Sequence, residues 1–376
     1  MRYLFSAVII ILIFSAPASA QTNKETESRL KQALLTNPQD PRANLDLGIF
    51  YYNKDVYPEA RDYFETVVDL APNTEYAAEA KKYLASMDRK VEKRWRVDTA
   101  LGLQYDSNVV LNPDDGPLPE GISRKSDWRA LIYLKGQYDF LKKQNLLGTA
   151  SYSFYQSLHS RLSDFNISQH TLGANVIYDL SKITIKGAYT FEYILVGGDA
   201  YDYSHTVTPS LTIKEGNGLS TIVQYSYSWT KFKDADLFTD NSDRTGSNNQ
   251  ISIAQNIPIG GSAEAKIGYA YDNDNAREDF WDYNGNKFFA GLNLKFPRNI
   301  SMDLYGEYYT KDYDETHPNY GKTREDIVHT YSLTLSKRLS ERLSIAVGEI
   351  YIRNKSNIDA FDYKRAITSA YITARF

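Results

Sequence analysis

Between residues 92 and 108 apolar and polar side chains alternate. Trp95, Val97, Thr99, Leu101, Leu103 and Tyr105 share one face, and Arg96, Asp98, Ala100, Gly102, Gln104 and Asp106 the other. A period of two is that of a β-strand. An apolar row with an aromatic at each end, backed by small and polar residues, suits a strand with lipid on one side and a wet lumen on the other. Later rows repeat it. Ile183, Ile185, Gly187, Tyr189, Phe191 and Tyr193 make one, Phe288, Ala290, Leu292, Leu294 and Phe296 another, and Val223, Tyr225, Tyr227 and Trp229 a third. From residue 94 to Phe376 the pattern predicts about fourteen antiparallel strands.

The connections between these strands alternate in length. Short ones are expected at 141–144, 179–182, 215–218, 258–261, 297–299 and 336–342. Longer, Asp- and Asn-rich ones are expected at 109–127, 156–164, 196–203, 234–244, 273–284, 312–325 and 354–362. Short turns on one side and long loops on the other, with an even strand count, are the layout of an all-β transmembrane barrel. A soluble sandwich would also alternate, but it would keep its Tyr and Trp mainly in the core. Here they collect near the row ends, as interfacial girdles require. Counting back from Phe376, the positions Ala374, Ile372, Ala370 and Thr368 form the outward row of a closing strand.

Ahead of the strands the period changes. Residues 24–91 read as helices near 26–35, 41–53, from Pro58 to Pro72, and from Thr74. Pro38 and Pro72 end helices, because proline cannot continue one, while Pro58 sits in a first turn where its missing N–H costs nothing. Leu47, Gly48, Tyr51, Ala60, Phe64 and Pro72 resemble the spaced signature of the tetratricopeptide repeat, and Pro38 to Pro72 is its 34-residue period. Asn44 stands where that signature carries Trp. About one complete repeat with flanking halves is a small solenoid. The resemblance implies a small all-α domain with a groove presenting Arg42, Leu45, Ile49, Tyr52 and Asn53 to a periplasmic protein client or chaperone. The bland alternative is a spacer.

Residues 1–20 read as a secretory signal peptide: Arg2, an apolar run over 3–15, and Ala18-Ser19-Ala20 before the expected cleavage point. The resulting division is 1–20 signal peptide, 24–91 helical domain in the periplasm, and 94–376 barrel in the outer membrane. Composition narrows the chemistry further. The 376 residues carry a formal charge of −4, so no basic footprint points to nucleic acid. Cysteine is absent, which removes disulfides and thiolate chemistry. Thirty-one tyrosines beside a mean hydropathy of −0.49 describe a chain rich in aromatics yet polar overall. Only every second barrel residue faces lipid, so a barrel tolerates that balance.

The order of parts resembles the surface lipoprotein assembly modifier (Slam) family: signal peptide, tetratricopeptide domain, then a fourteen-strand outer-membrane barrel. The run Gly102-Leu103-Gln104-Tyr105-Asp106-Ser107-Asn108-Val109 is similar to the first-strand segment of tetratricopeptide–barrel proteins generally. The resemblance implies help in translocating or displaying a protein client, with lipoproteins the type case. It also implies contact with outer-membrane lipid and lipopolysaccharide, and insertion by the barrel assembly machinery, to which a terminal Phe376 is similar as a signal. The helical domain here is shorter than that family's. Exopolysaccharide export channels share the plan, and a porin-like or structural barrel is the third reading.

On the inferred inner faces Arg96, Arg129, Lys135, Lys186 and Lys266 mix with Asp98, Glu192, Glu264, Asp303 and Glu307. A strongly ion-selective pore would favour one sign. Mixed signs brace the interior or offer weak contacts to a passing chain. The five histidines show no zinc-protease spacing and no serine lies in a nucleophile elbow, so no enzyme, catalytic residue or cofactor is expected. The acidic pieces 272–275 and 234–243 read as solvated loops, with divalent-cation binding the sharper alternative.

Overall fold

The computed structural model describes residues 20–91, 94–114 and 116–376. The expected signal peptide over 1–20 lies, but for its last residue, outside the described residues.

Four helices come first: α1 (Ala20–Thr36), α2 (Pro41–Tyr52), α3 (Tyr57–Leu70) and α4 (Glu75–Val91). Asp40 caps α2, its Oδ1 accepting from the Arg42 N–H at 2.9 Å, and Pro41 occupies the first turn. Leu45, Ala60, Phe64, Val67, Ala80 and Met87 form the core of this unit. Gly48 is the close approach: a Cβ there would lie 2.6 Å from the Phe64 ring. Asn44, in the place of the usual Trp, is buried and donates to Pro38 O at 3.1 Å and Asp40 O at 2.9 Å. It ties down the α1–α2 turn.

The remaining chain is a closed barrel of fourteen strands, each antiparallel to its sequence neighbours, with β1 (Trp95–Asp106) pairing β14 (Tyr363–Arg375). In order between them run β2 (Asp127–Lys143), β3 (Leu146–His159), β4 (Ile167–Asp179), β5 (Ile183–Val196), β6 (Asp199–Gly216), β7 (Leu219–Phe232) and β8 (Gly246–Ile259). These are followed by β9 (Ala263–Ala276), β10 (Tyr283–Phe296), β11 (Ile300–His317), β12 (Lys322–Arg338) and β13 (Leu343–Ser356). Closure leaves no strand edge, which is what lipid demands of a sheet. The predicted apolar rows face outward: Leu101 is 56% exposed, Leu103 60%, Phe288 54% and Val347 54%. Trp95 packs on Tyr138 at one end of this wall and Tyr105 on Trp128 at the other, so both interfacial girdles are present.

Two expected long loops are shorter than the sequence suggested. β5 and β6 are joined by Gly197 and Gly198 alone, at φ 65° and 103°, and β11 and β12 by residues 318–321. The Asp- and Tyr-rich stretches beside them continue the ladder up to the reversal, since glycine at positive φ makes the tight turn possible. The piece 272–275 is likewise strand, not loop: β9 carries Asp272 and Asp274 on its inner face, in register with Gly285 and Tyr283. The end of the barrel bearing residues 107–126 is called the long-loop end, and the opposite one the short-turn end.

Candidate functional site

The register places the inner side chain of every strand. Asp98 opposes Lys135, Gln104 opposes Arg129 and Asp106 opposes Asp127 across β1–β2. Asp303 opposes Asn293, and Glu307 opposes Phe289, across β10–β11. Lys186 opposes Ser210 and Glu192 opposes Ser204 across β5–β6, while Glu264 and Lys266 of β9 share the face of Asn293 and Gly291. Most of these charges contact a neighbour. Arg375 donates to Asp98 at 2.7 Å, Arg96 to Gln137 at 2.9 Å, Asn293 to Asp303 at 2.6 Å and Tyr305 to Glu307 at 2.6 Å. Lys266 sits 5.9 Å from the Phe289 ring centre. From β3 to β8 the inner wall is mostly hydroxyl and amide, with Ser151, Ser153, Thr171, Asn175, Thr206 and Ser228 among its members.

Exposure along the lumen is graded. Towards the short-turn end the inner side chains are mostly half-buried or exposed, Lys186 among them, with Thr149 a buried exception. Towards the long-loop end buried inner side chains recur on nine of the fourteen strands: Gln104, Asp106, Arg129, Leu131, Tyr155, Asp202, Asp272, Tyr309, Asp326, Asn354 and Arg365. Their spacing on so many staves means that side chains fill that mouth from within.

Connection 107–126 supplies the middle of the filling. Val109 and Val110 are 1% and 0% exposed and pack with Leu131, Tyr155, Phe165, Ile167, Val196, Tyr201 and Phe238. The segment is folded inward by a small polar frame. Asp106 Oδ1 accepts from the Asn108 N–H at 3.0 Å, and Asn108 Nδ2 donates to Asn112 O and Lys364 O, both at 2.9 Å. The Asn112 N–H returns to Asn108 Oδ1 at 2.8 Å, and Leu111 takes φ 48° to make the reversal. Lys364 pairs with Asp114 at 2.7 Å, and that ammonium holds the Asp114 carboxyl below the usual carboxylate range.

The same frame closes the β1–β14 seam. Arg365 Nε donates to both oxygens of Asp106, at 3.0 and 3.1 Å, and Arg129 approaches Asp106 to 3.7 Å, all three side chains being almost wholly buried. Gln104 donates to Ser369 at 2.8 Å and Tyr371 at 2.7 Å while accepting from Arg129 at 2.8 Å. Along β10–β13, next to this seam, the mouth is filled differently, by cations on rings. Lys311 lies 4.3 Å from the centre of Tyr283, and Arg324 3.6 Å from that of Phe361. Arg244 links the two halves, donating to Tyr201 at 2.9 Å with its guanidinium 4.2 Å over Phe232.

Of the residues expected from sequence, the structure gathers Arg129 into this plug and leaves Arg96, Asp98, Lys135, Lys186, Glu192, Glu264, Lys266, Asp303 and Glu307 around the lumen below it. The five-residue helical groove is corrected. Leu45 is 4% exposed inside the α2–α4 core, Ile49 and Tyr52 pack against it, and the Tyr52 hydroxyl meets Ser86 at 2.7 Å. Only Arg42 and Asn53 stand free on the surface, because α2 turns its apolar side towards α3 and α4. Sequence reading missed the plug, whose signal was the apolar triplet Val109-Val110-Leu111 between two asparagines. Among the described residues no three Asp, Glu or His side chains converge as a metal site. Asp272 is instead bonded by Tyr309 at 2.7 Å, and Asp274 by Asn248 at 3.0 Å.

Solved structures of outer-membrane proteins and a porin are similar to the chain at low identity. A loop-deletion form of OmpT, an outer membrane protein of Vibrio cholerae, is 8% identical with a TM-score of 0.45, over 75% of this chain and 99% of that one. OprB of Pseudomonas putida is 8% identical at 0.43, over 78% and 97%. An anion-selective porin from Comamonas acidovorans is 8% identical at 0.42, over 75% and 98%. No curated protein matches by sequence. A family model described as a tetratricopeptide repeat matches residues 18–83, so the helices ahead of the barrel carry that repeat.

Proposed function

We propose that the protein is an outer-membrane export barrel that aids translocation or surface display of a protein client, in the manner of the surface lipoprotein assembly modifiers. The reading rests on one observation: the lumen is mostly exposed at the short-turn end and filled at the long-loop end, where residues 108–112 of the β1–β2 connection pack inward. A cup of this kind admits cargo from the side on which the chain enters β1 and holds it until the plug moves. The mixed, mostly partnered charges of the lower lumen suit weak contact with a polypeptide better than selection of one ion. The tetratricopeptide segment, held in the periplasm in this reading, would concentrate client or chaperone there. Arg42 and Asn53 are its free groove-side candidates. Lipid, lipopolysaccharide and the barrel assembly machinery are the remaining partners.

The hydroxyl and amide wall between β3 and β8 favours a second reading, an exopolysaccharide channel, since such groups exchange hydrogen bonds with sugar hydroxyls. A porin-like role fits less well with a mouth packed by Val109, Val110 and their neighbours. The reading is tested by deleting the gene, or residues 24–91 alone, and measuring protease-accessible surface exposure of the cell's lipoproteins. Loss of exposure with normal client synthesis is expected. Unchanged exposure together with loss of a surface polysaccharide would replace this function with the second.

A further inference from the structure

On β13 the outward row reads Ile345, Val347, Glu349, Tyr351, and the carboxylate is out of place. Glu349 opposes Leu333 on β12 and Thr368 on β14, and its row-mates Val347 and Tyr351 are 54% and 38% exposed towards lipid. It lies one outward position inside the girdle tyrosine, where a charge facing acyl chains is destabilising. Among the described residues it has no ion pair and no hydrogen-bond donor. The nearest outward cation, Arg353, is held by Asp362 at 2.9 Å. Next to Glu349 the wall is dented. Ala290 and Gly306 face each other in register and floor a depression of about 550 Å³, walled by Leu304, Tyr331 and Leu333, with Glu349 on its rim.

We infer that this face of β10–β13 is a lateral docking surface for a second, membrane-embedded protein that fills the depression with apolar side chains and presents a Lys or Arg to Glu349. Charge complementarity selects this occupant. Acyl chains can fill the dent but leave the carboxylate unpaired, and phosphate-bearing head groups carry its own sign. A second copy of this chain fails on depth. Rotation about the membrane normal keeps every residue at its own level, and the outward Lys231, Lys337, Arg353 and Lys364 all sit at strand ends. The inference goes beyond the export reading and depends only on membrane insertion.

A photoreactive amino acid is placed at Leu333 in the full-length protein in its own outer membrane, with Leu101 on β1 as the control position. We expect one discrete protein adduct from 333 and none from 101. Its yield should fall at least about tenfold in Glu349→Leu and be largely kept in Glu349→Asp. Purified Glu349→Leu should unfold on heating at the same or a higher temperature than wild type, which shows that the barrel still folds. An adduct of twice the chain mass, adducts to lipid alone, or a yield indifferent to Glu349→Leu would each overturn the proposal.

Discussion

Asp106 is a single carboxylate shared by two guanidinium groups, from Arg365 and Arg129, in a place water does not reach. Removing one member of such a buried set leaves unpaired charge, which typically costs about 3–5 kcal/mol, whereas an exposed pair costs little. Asp106→Asn keeps the shape and leaves two arginines facing each other. We expect a loss of about 3 kcal/mol or more in urea unfolding of the barrel, followed by tryptophan fluorescence in lipid or detergent. The Asp98–Arg375 pair at the other end of the seam is a control, since Arg375 is half exposed. Asp98→Asn should cost about 1 kcal/mol or less. Equal losses at the two sites would mean that the buried cluster is not what holds the seam. None of this coupling is visible in sequence, because Asp106 and Arg365 are brought together only when the first strand meets the last.

Elements differ in how openly they announce themselves. The outward rows were legible because lipid imposes a strict period on one face and aromatics mark its ends, so β5, β7 and β10 read directly from their residues. Connections were less legible. Asp272-Asn273-Asp274-Asn275 looks like a loop by composition, yet a polar lumen is solvent enough for a strand to carry aspartates inward while Tyr269 and Tyr271 stay outward. The helical segment was legible in its spacing but not in which side of α2 is free: in so small an array Leu45 is needed for the core. Gly48 shows the tightness of that packing. Gly48→Ala would drive a methyl into the Phe64 ring, and overpacking of this kind costs about 1–3 kcal/mol. Hydrogen exchange of α2 and α3 amides in the full chain should accelerate correspondingly, with barrel amides unchanged. Unaltered protection in α2 would show that the helices separate more easily than their contacts imply.

For the whole molecule the decisive property is asymmetry along the barrel axis, with an accessible lumen at the end where β1 begins and a packed mouth where it ends. A fourteen-strand barrel emptied of its plug has room for water, so the filling decides whether ions pass. Wild-type protein in a planar bilayer should therefore give little steady current. Replacing residues 109–124 with a short Gly-Ser linker removes Val109, Val110 and the Asp114 anchor, and should produce large, stable steps. Lys364→Gln should give brief openings, because it cuts one tether and leaves the apolar insert in place. The Lys364–Asp114 tether has a pH dependence of its own. A depressed carboxyl contributes stability above its unfolded value and loses it only as pH falls through the lower folded value. The tether's own contribution to closure should thus be constant from about pH 6 to 8 and weaken only in strong acid, below the ordinary carboxylate range. Steady wild-type current equal to that of the linker variant would show that residues 107–126 do not seal the mouth, and the case for a gated exporter over a plain pore would lose its support.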